Sequence, residues 1–265
     1  MVEPAEWVPN NVDVAVPSAA RVYDYLLGGA HNFDVDRIVG KKVLQVQPNG
    51  RQIARSNRAF LTRAVRYLVD NGITQFLDLG SGIPTVGNVH EVAQRADPEC
   101  RVVYVDYDAV AVAHSQLILQ GNDHTAVVDA DLTQPDQVLD EPRITQFLDF
   151  SKPIGLLLVA VFHFVPDEKK PHDIVARYRS ALPSGSYVAL SHLTADQMHE
   201  ESAAVVEAMK NSRDPMFFRS YDEFSTLFDG LDLVEPGIVS APRWRGDDDS
   251  DEAQDGVYVG LGKVR

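Results

Sequence analysis

The chain has 265 residues, 45% hydrophobic and 24% charged, proportions that fit one folded domain and exclude disordered or fibrous architectures. Its 39 Asp and Glu against 24 Lys and Arg give a net charge of -15, which repels phosphate backbones and argues against nucleic acid or anionic membranes as partners. Cys100 is the single cysteine, so a disulfide framework or a cysteine-ligated iron–sulfur cluster is excluded and the cytoplasm is the expected compartment.

Glu3, Pro4 and Glu6 precede any apolar run, so neither a secretory leader nor a membrane span is expected. Ser18 is placed to cap a short helix reaching Leu27, which Gly28 and Gly29 end. After a connector with His31, Asn32 and Phe33, a second helix is predicted from Asp34 to Gln45 and is broken by Pro48 to Gly50. Ile53, Phe60, Leu61, Ala64, Val65, Leu68 and Val69 form an amphipathic stripe that Asn71 and Gly72 close.

From Gln75 onward, short apolar runs alternate with helical stretches, the signature of a parallel sheet with crossover helices. The predicted strands are Phe76 to Leu79, Val102 to Val105, Ala126 to Val128, Ile154 to Val161 and Tyr187 to Ser191. The helices between them are Val86 to Arg95, Ala109 to Gln120, Gln137 to Phe150 and His172 to Leu182. An added helix is predicted from Ala195 to Asn211, and Ser220 with Glu223 reads as a capping box opening another. Leu231 to Ile238 and Gly256 to Val264 have no helix between them, so an antiparallel hairpin at the sheet edge is expected. The acidic run joining them, Asp247 to Asp255, reads as a solvated loop and lacks the glycine and glutamate of a calcium loop.

Chemistry concentrates where strands end. Phe76-Leu77-Asp78-Leu79-Gly80-Ser81-Gly82 runs an apolar strand into a glycine-spaced turn that lets a ligand approach the backbone. Thr85 stands where a dinucleotide fingerprint has its third glycine, and Asp78 would repel a pyrophosphate. Asp78 suits a ligand carrying ammonium and sulfonium charge, or else it satisfies N–H groups of its own turn. Asp106 follows at the interval of a ribose-binding acid, with Tyr107 placed to pack on an adenine and Asp108 placed as a helix cap. The third strand leads into Asp129-Ala130-Asp131-Leu132, where Asp131 can accept from an adenine amine.

These segments, in order, resemble the first three cofactor motifs of the class I methyltransferases that use S-adenosylmethionine (SAM). Ser18-Ala19-Ala20-Arg21-Val22-Tyr23-Asp24-Tyr25-Leu26-Leu27-Gly28-Gly29 with Asn32-Phe33, then Asn57-Arg58, Gly80 to Thr85 and Asn88-Val89-His90-Glu91 resemble, more narrowly, a bacterial family named S-adenosyl methyltransferase. The resemblance runs from about Pro17 to Arg265. It implies that Gly80, Ser81 and Gly82 pass beneath the methionine moiety, that Asp106 holds the ribose and that Asp131 holds the adenine amine, with Leu132 beside it. Ile83-Pro84 departs from the further small residue common in the superfamily, so the shape of the turn is open.

The fourth strand leads into Ala160-Val161-Phe162-His163-Phe164, where class I enzymes contact both sulfonium and acceptor. His163 is the candidate general base, with local hydrogen bonding as the alternative, and Ala160 and Phe162 are candidate contacts. Arg21 or Arg58 is placed to pair with the methionine carboxylate, and Tyr23, His31 and His192 to line an acceptor pocket.

The reading is a Rossmann-like, seven-stranded, mostly parallel sheet with a C-terminal antiparallel hairpin. Residues 1–72 form a helical lid and 73–265 the SAM-binding core, with a helical insert near 195–215. The expected function is SAM-dependent methylation of a small molecule with no metal. A SAM-binding sensor and a nicotinamide-dependent oxidoreductase are the alternatives.

Overall fold

In the computed structural model, residues 13–84, 87–196, 199–246 and 256–265 are described. The acidic run and Thr85 lie outside them. Helix α1 (Ala19–Leu27) starts where the Ser18 hydroxyl accepts from the Arg21 N–H and stops at Gly28, whose φ of 88° an L side chain resists. Helices α2 (Asp34–Val46) and α3 (Gly50–Asp70) follow.

The apolar runs form β1 (Gln75–Leu79), β2 (Arg101–Asp106), β3 (Thr125–Asp129), β4 (Gly155–Val159) and β5 (Tyr187–Leu193), and all five are parallel. They alternate with α4 (Val89–Ala96), α5 (Ala109–Ile118), α6 (Pro135–Leu139), α7 (Pro142–Phe147) and α8 (Pro171–Ala181). Helices α9 (His199–Met209) and α10 (Tyr221–Thr226) precede β6 (Leu231–Leu233), β7 (Val239–Ser240) and β8 (Val257–Val264). The sheet order is β3-β2-β1-β4-β5-β8-β6, with β7 also paired to β8 and β8 antiparallel to each of β5, β6 and β7.

Three local expectations change. The helix expected from Gln137 to Phe150 is two short helices, because Pro142 starts a new one at its first turn. The strand expected from Leu231 to Ile238 ends at Leu233: Pro236 has no N–H to give a ladder, and Gly237 turns back to Val234 O at 2.8 Å. The hairpin therefore contributes β6 and β7 as two short strands on one edge of β8, and the sheet has eight strands instead of seven. Helix α4 begins at Val89, where Asn88 and Glu91 form a capping box, later than the expected Val86.

Period-two alternation divides each strand between two cores. Leu77, Leu79, Val103, Val105, Leu156 and Leu158 pack on one face of the sheet. Phe76, Val102, Tyr104 and Leu157 pack on the other, against Phe60, Leu61, Ala64, Val65 and Leu68 of α3. Helix α3, expected in the lid, is thus a covering layer of the sheet, because its apolar stripe has no other surface to bury. The lid proper is α1 and α2, which meet α9 in a separate cluster of Val22, Val39, Val43, Val205, Met209 and Met216.

Candidate active site

From β1 the chain winds outward through β2 and β3, then returns to β4 on β1's other side, which opens a crevice at the carboxyl ends of the strands. The turn after β1 forms its floor. Gly80 and Ser81 N–H donate to Val105 O at 2.8 and 3.1 Å, and Gly80 has φ +70°. A Cβ there would come within 2.3 Å of Val161 Cγ2, so the close approach to β4 requires glycine. Gly82 N–H donates to Asp106 Oδ2 at 2.7 Å, while Asp106 Oδ1 accepts from Asp108 N–H at 2.8 Å. Asp106 therefore fastens the glycine turn to the end of β2, and Asp108 caps α5 as its position suggested.

Asp78 falls on the α3 face of the sheet by alternation, and Arg58 of α3 lines the same cleft. Burial pushes the Asp78 carboxyl up to about 7; the Arg58 charge opposes this and the Asp106 charge adds to it. Burial likewise raises Asp106 to about 6, against the pull of the two N–H donors from Asp108 and Gly82. Among the described residues none donates a hydrogen bond to the Asp78 carboxylate, so the expected alternative, self-satisfaction of its own turn, does not occur there. Two buried acids at one mouth favour a ligand that brings positive charge and hydroxyl donors.

Tyr107 lines the cleft with its hydroxyl donating to Asp214, and Arg213 lies over one face of its ring at 4.4 Å. Asp214 also accepts from Ala19 N–H at 2.7 Å, so the loop after α9 joins the start of α1 to the end of β2.

A second chamber adjoins the cleft, and Ala19, Tyr23, Asn57, Ala160 and Phe164 line both. A hydrogen-bonded thread runs along this shared wall. Ala160 N–H donates to Ser191 Oγ (2.8 Å), Ser191 to Asn57 Oδ1 (2.6 Å), Asn57 Nδ2 to the Tyr23 hydroxyl (3.0 Å), and Tyr23 to Ala54 O (3.1 Å). The rest of the lining is mainly aliphatic and methionine side chains, and no Asp, Glu, Lys or Arg is among the described residues that line it.

Gln47 and His163, the latter on the turn after β4, are the exceptions. The His163 ring is buried and its Nδ1 has no hydrogen-bond partner among the described residues. Burial first, then the neighbouring His192 and Arg219, hold its pKa well below the ordinary value, so the imidazole is neutral. Arg219 fixes this turn by donating to Phe162 O (2.9 Å) and Val165 O (2.8 Å) and pairing with Asp167 at 2.6 Å.

A family model described as S-adenosyl methyltransferase matches residues 5–265. The chain belongs to that family. A DUF574-family protein of Streptomyces avermitilis has a solved structure that is 38% identical, with 96% of this chain aligned to 99% of that one at a TM-score of 0.91. A Thermobifida fusca protein described as a candidate methyltransferase is 36% identical over 98% of this chain and 100% of its own, at 0.92. The N-methyltransferase NodS of Bradyrhizobium japonicum, solved with S-adenosyl-L-homocysteine (SAH), shares the fold at a TM-score of 0.51 and 12% identity, over 92% of this chain and 98% of that one. No curated protein matches the chain.

As a member of this family the chain is a SAM-dependent methyltransferase on a Rossmann-like fold. The cleft's chemistry fits SAM: Asp78 has no hydrogen-bond donor among the described residues, a glycine turn clears space, and Asp106 retains lone pairs beyond the two it uses. Asp78, Gly80, Ser81, Gly82, Asp106, Tyr107, Arg58, Ala160 and Tyr23 are brought together here. Leu132 lies beneath, near Gly80.

Other expected contacts stand apart. Asp131 is outside the cleft lining; its side chain is 43% exposed, accepts from Thr133 N–H at 2.8 Å and lies 3.7 Å from Lys169. Arg21 is buried, bonded at 2.9 Å to the fully buried Asp36, since a cation inside the lid needs its own counter-ion. His31 packs against His114 with ring centroids 4.0 Å apart, away from both chambers. Phe162 fills the core, and His192 is spent between Leu193 O (2.7 Å) and Arg219 (2.8 Å). His163 does line the acceptor side, but beside a cation it is a hydrogen-bond acceptor and a weak base. Asn57 and Ser191 carry the shared wall without having been singled out for a role; the adjacency of Asn57 to Arg58 in the family-like segment was the available signal.

Among the described residues no helix is long and apolar enough to cross a membrane, and no cluster of three or more His, Cys, Asp or Glu could hold a metal ion.

Proposed function

We propose that this methyltransferase acts on a small molecule seated in the apolar chamber, with SAM in the acidic cleft beside it. When bound, SAM supplies an electrophilic methyl group whose transfer leaves SAH. Asp78 pairs with the amino group, Arg58 with the carboxylate, Asp106 with the ribose hydroxyls, and Tyr107 covers the adenine. The shared wall of Tyr23, Asn57 and Ala160 sets the two ligands next to each other, and alignment of this kind supplies much of the rate of a displacement. The observation that carries this reading is the juxtaposition of a carboxylate-lined cleft with an uncharged chamber across one wall.

Calorimetric titration with SAH and SAH release in the presence of a panel of small acceptors test it. One-to-one SAH binding and acceptor-dependent release are expected. Binding without release for any small molecule, together with release for a protein or RNA acceptor, would overturn the small-molecule assignment.

A further inference from the structure

We propose that the chamber selects a neutral alcohol or phenol with an apolar body, whose hydroxyl donates a hydrogen bond to the His163 imidazole. This deepens the acceptor reading above and rests on it.

Charge selection follows from the walls. Val22, Val43, Ile53, Val205, Met209 and Met216 give a bound carboxylate or ammonium neither a counter-ion nor water, so a charged group loses its hydration without replacement. An uncharged body loses nothing comparable and gains contact with side chains that adapt to its shape.

Hydrogen-bonding selection follows from which polar groups are already engaged. The Tyr23 hydroxyl, the Asn57 amide and the Ser191 hydroxyl satisfy one another along the shared wall, and Gln47, the remaining polar side chain of the lining besides His163, is also partnered. His192 contacts Leu193 O through Nδ1 and Arg219 through Nε2, so neither of its nitrogens is open to a ligand. His163 remains: it lines the chamber, Nδ1 is sealed inside the wall, and Nε2, which is not sealed off, has no hydrogen-bond partner among the described residues. A buried acceptor left unmet is costly, and a ligand hydroxyl removes that cost where a methyl of equal size does not. Arg219 and His192 face His163 and keep its ring uncharged, so it accepts.

The test compares phenol, toluene and benzoate as probes, by ligand-observed NMR titration and a crystal structure with phenol, each with and without SAH. Phenol is expected to bind about fivefold or more tightly than toluene, and benzoate at least as weakly as toluene. In His163→Phe the preference of phenol over toluene falls to about one, with SAH affinity unchanged as the control for folding. Equal binding of benzoate, phenol found outside the chamber, no binding of any probe at millimolar concentration, or a preference that survives in His163→Phe would each overturn it. The wild-type ranking and the phenol structure need no variant. Failure of SAH to bind would strike the cofactor assignment instead, because phenol uptake is read in the SAH-free protein as well.

Discussion

The two chambers share a wall and differ in every other respect. The cleft is made from strand ends, the turn after β1 and the facing sides of α1 and α3, with four buried acids (Asp78, Asp106, Asp108 and Asp214) and Arg58 around it, a lining suited to charge and hydroxyl groups. The chamber is made mainly from α1, α2, α3, α9 and the residues just beyond α9, closed by the turn after β4 and by Leu193 and Val257, and its apolar walls suit selection by shape. Strand ends are fixed by the ladder of the whole sheet, so the first site cannot drift without the fold. The second is assembled largely from helix side chains, those of α1, α2 and α9 being free to change without disturbing the sheet. Cofactor chemistry can thus stay constant in this fold while the acceptor changes.

The sharpest way to break that division is Asp106→Ala. It removes the candidate ribose acceptor and also releases the Gly82 and Asp108 N–H groups it holds. SAH affinity should fall by about 100-fold or more by calorimetry, since charge-assisted bonds are among the strong ones. Phenol affinity in the SAH-free protein should stay within about twofold. A loss smaller than about tenfold in SAH affinity would mean that the cleft does not read the ribose through this acid.

Asp78→Asn comes next, with opposite effects on binding and stability. The folded carboxyl titrates near 7 against an ordinary 3.8, so between those values the folded protein holds a proton that the unfolded chain has released. Stability from this group is therefore present at low pH and is lost as pH rises through about 7. The amide removes that penalty, so the ligand-free variant should melt a few degrees higher than wild type at pH 8 and equally near pH 4. Pairing with the SAH ammonium needs the carboxylate, so wild-type affinity should climb from pH 6 to pH 8. The variant should bind about 10- to 30-fold more weakly at pH 8 and have a flatter pH profile. Parallel profiles for the two proteins would remove Asp78 from the amino-acid end.

How much of this was legible in the sequence depends on the distance over which each feature is assembled. Asp78, Gly80 and Asp106 were readable because a strand, its turn and its terminal acid are contiguous, and parallel pairing brings such ends to one edge. Asp131 obeyed the same pattern, yet its side chain stands outside the cleft lining, half exposed beside Lys169, a placement that spacing does not reveal. The polar lid residues misled for a related reason. Arg21 and Asp36 are polar because they neutralise each other inside the lid, and His31 because it packs on His114. The apolar chamber was invisible: Val22 and Met216 stand at opposite ends of the chain and meet only once α1 and α9 have docked. The sheet itself was legible to within a residue or two, except where Pro142 and Pro236 cut elements that hydropathy alone joins.

Asn57→Ala probes the seam between the two regions. It leaves the Ser191 hydroxyl and the Tyr23 hydroxyl without a shared partner inside a buried wall. The expected cost is about 1–3 kcal/mol in denaturant titration, with both SAH and phenol affinities reduced several-fold because the wall serves both sites. An effect on only one ligand would show that the thread belongs to that chamber alone. Tyr23→Phe, which keeps the ring and removes the link from Asn57 to Ala54 O, should reproduce a smaller part of the loss.

The smallest effect separates strain from packing at the same wall. Ala160 has φ 58°, a conformation that disfavours any Cβ, and its methyl group stands between cleft and chamber. Glycine relieves the strain but adds freedom to the unfolded chain, and the second effect cancels part of the first. The net expectation for Ala160→Gly is a gain of about 0.5 kcal/mol, a rise of one or two degrees in melting temperature, with SAH affinity within about twofold. A protein held in that geometry only by the fold would show this rise. A fall in melting temperature would mean that the Ala160 methyl packs the wall by more than its strain costs, so the fold keeps alanine there as the partition between the two ligands.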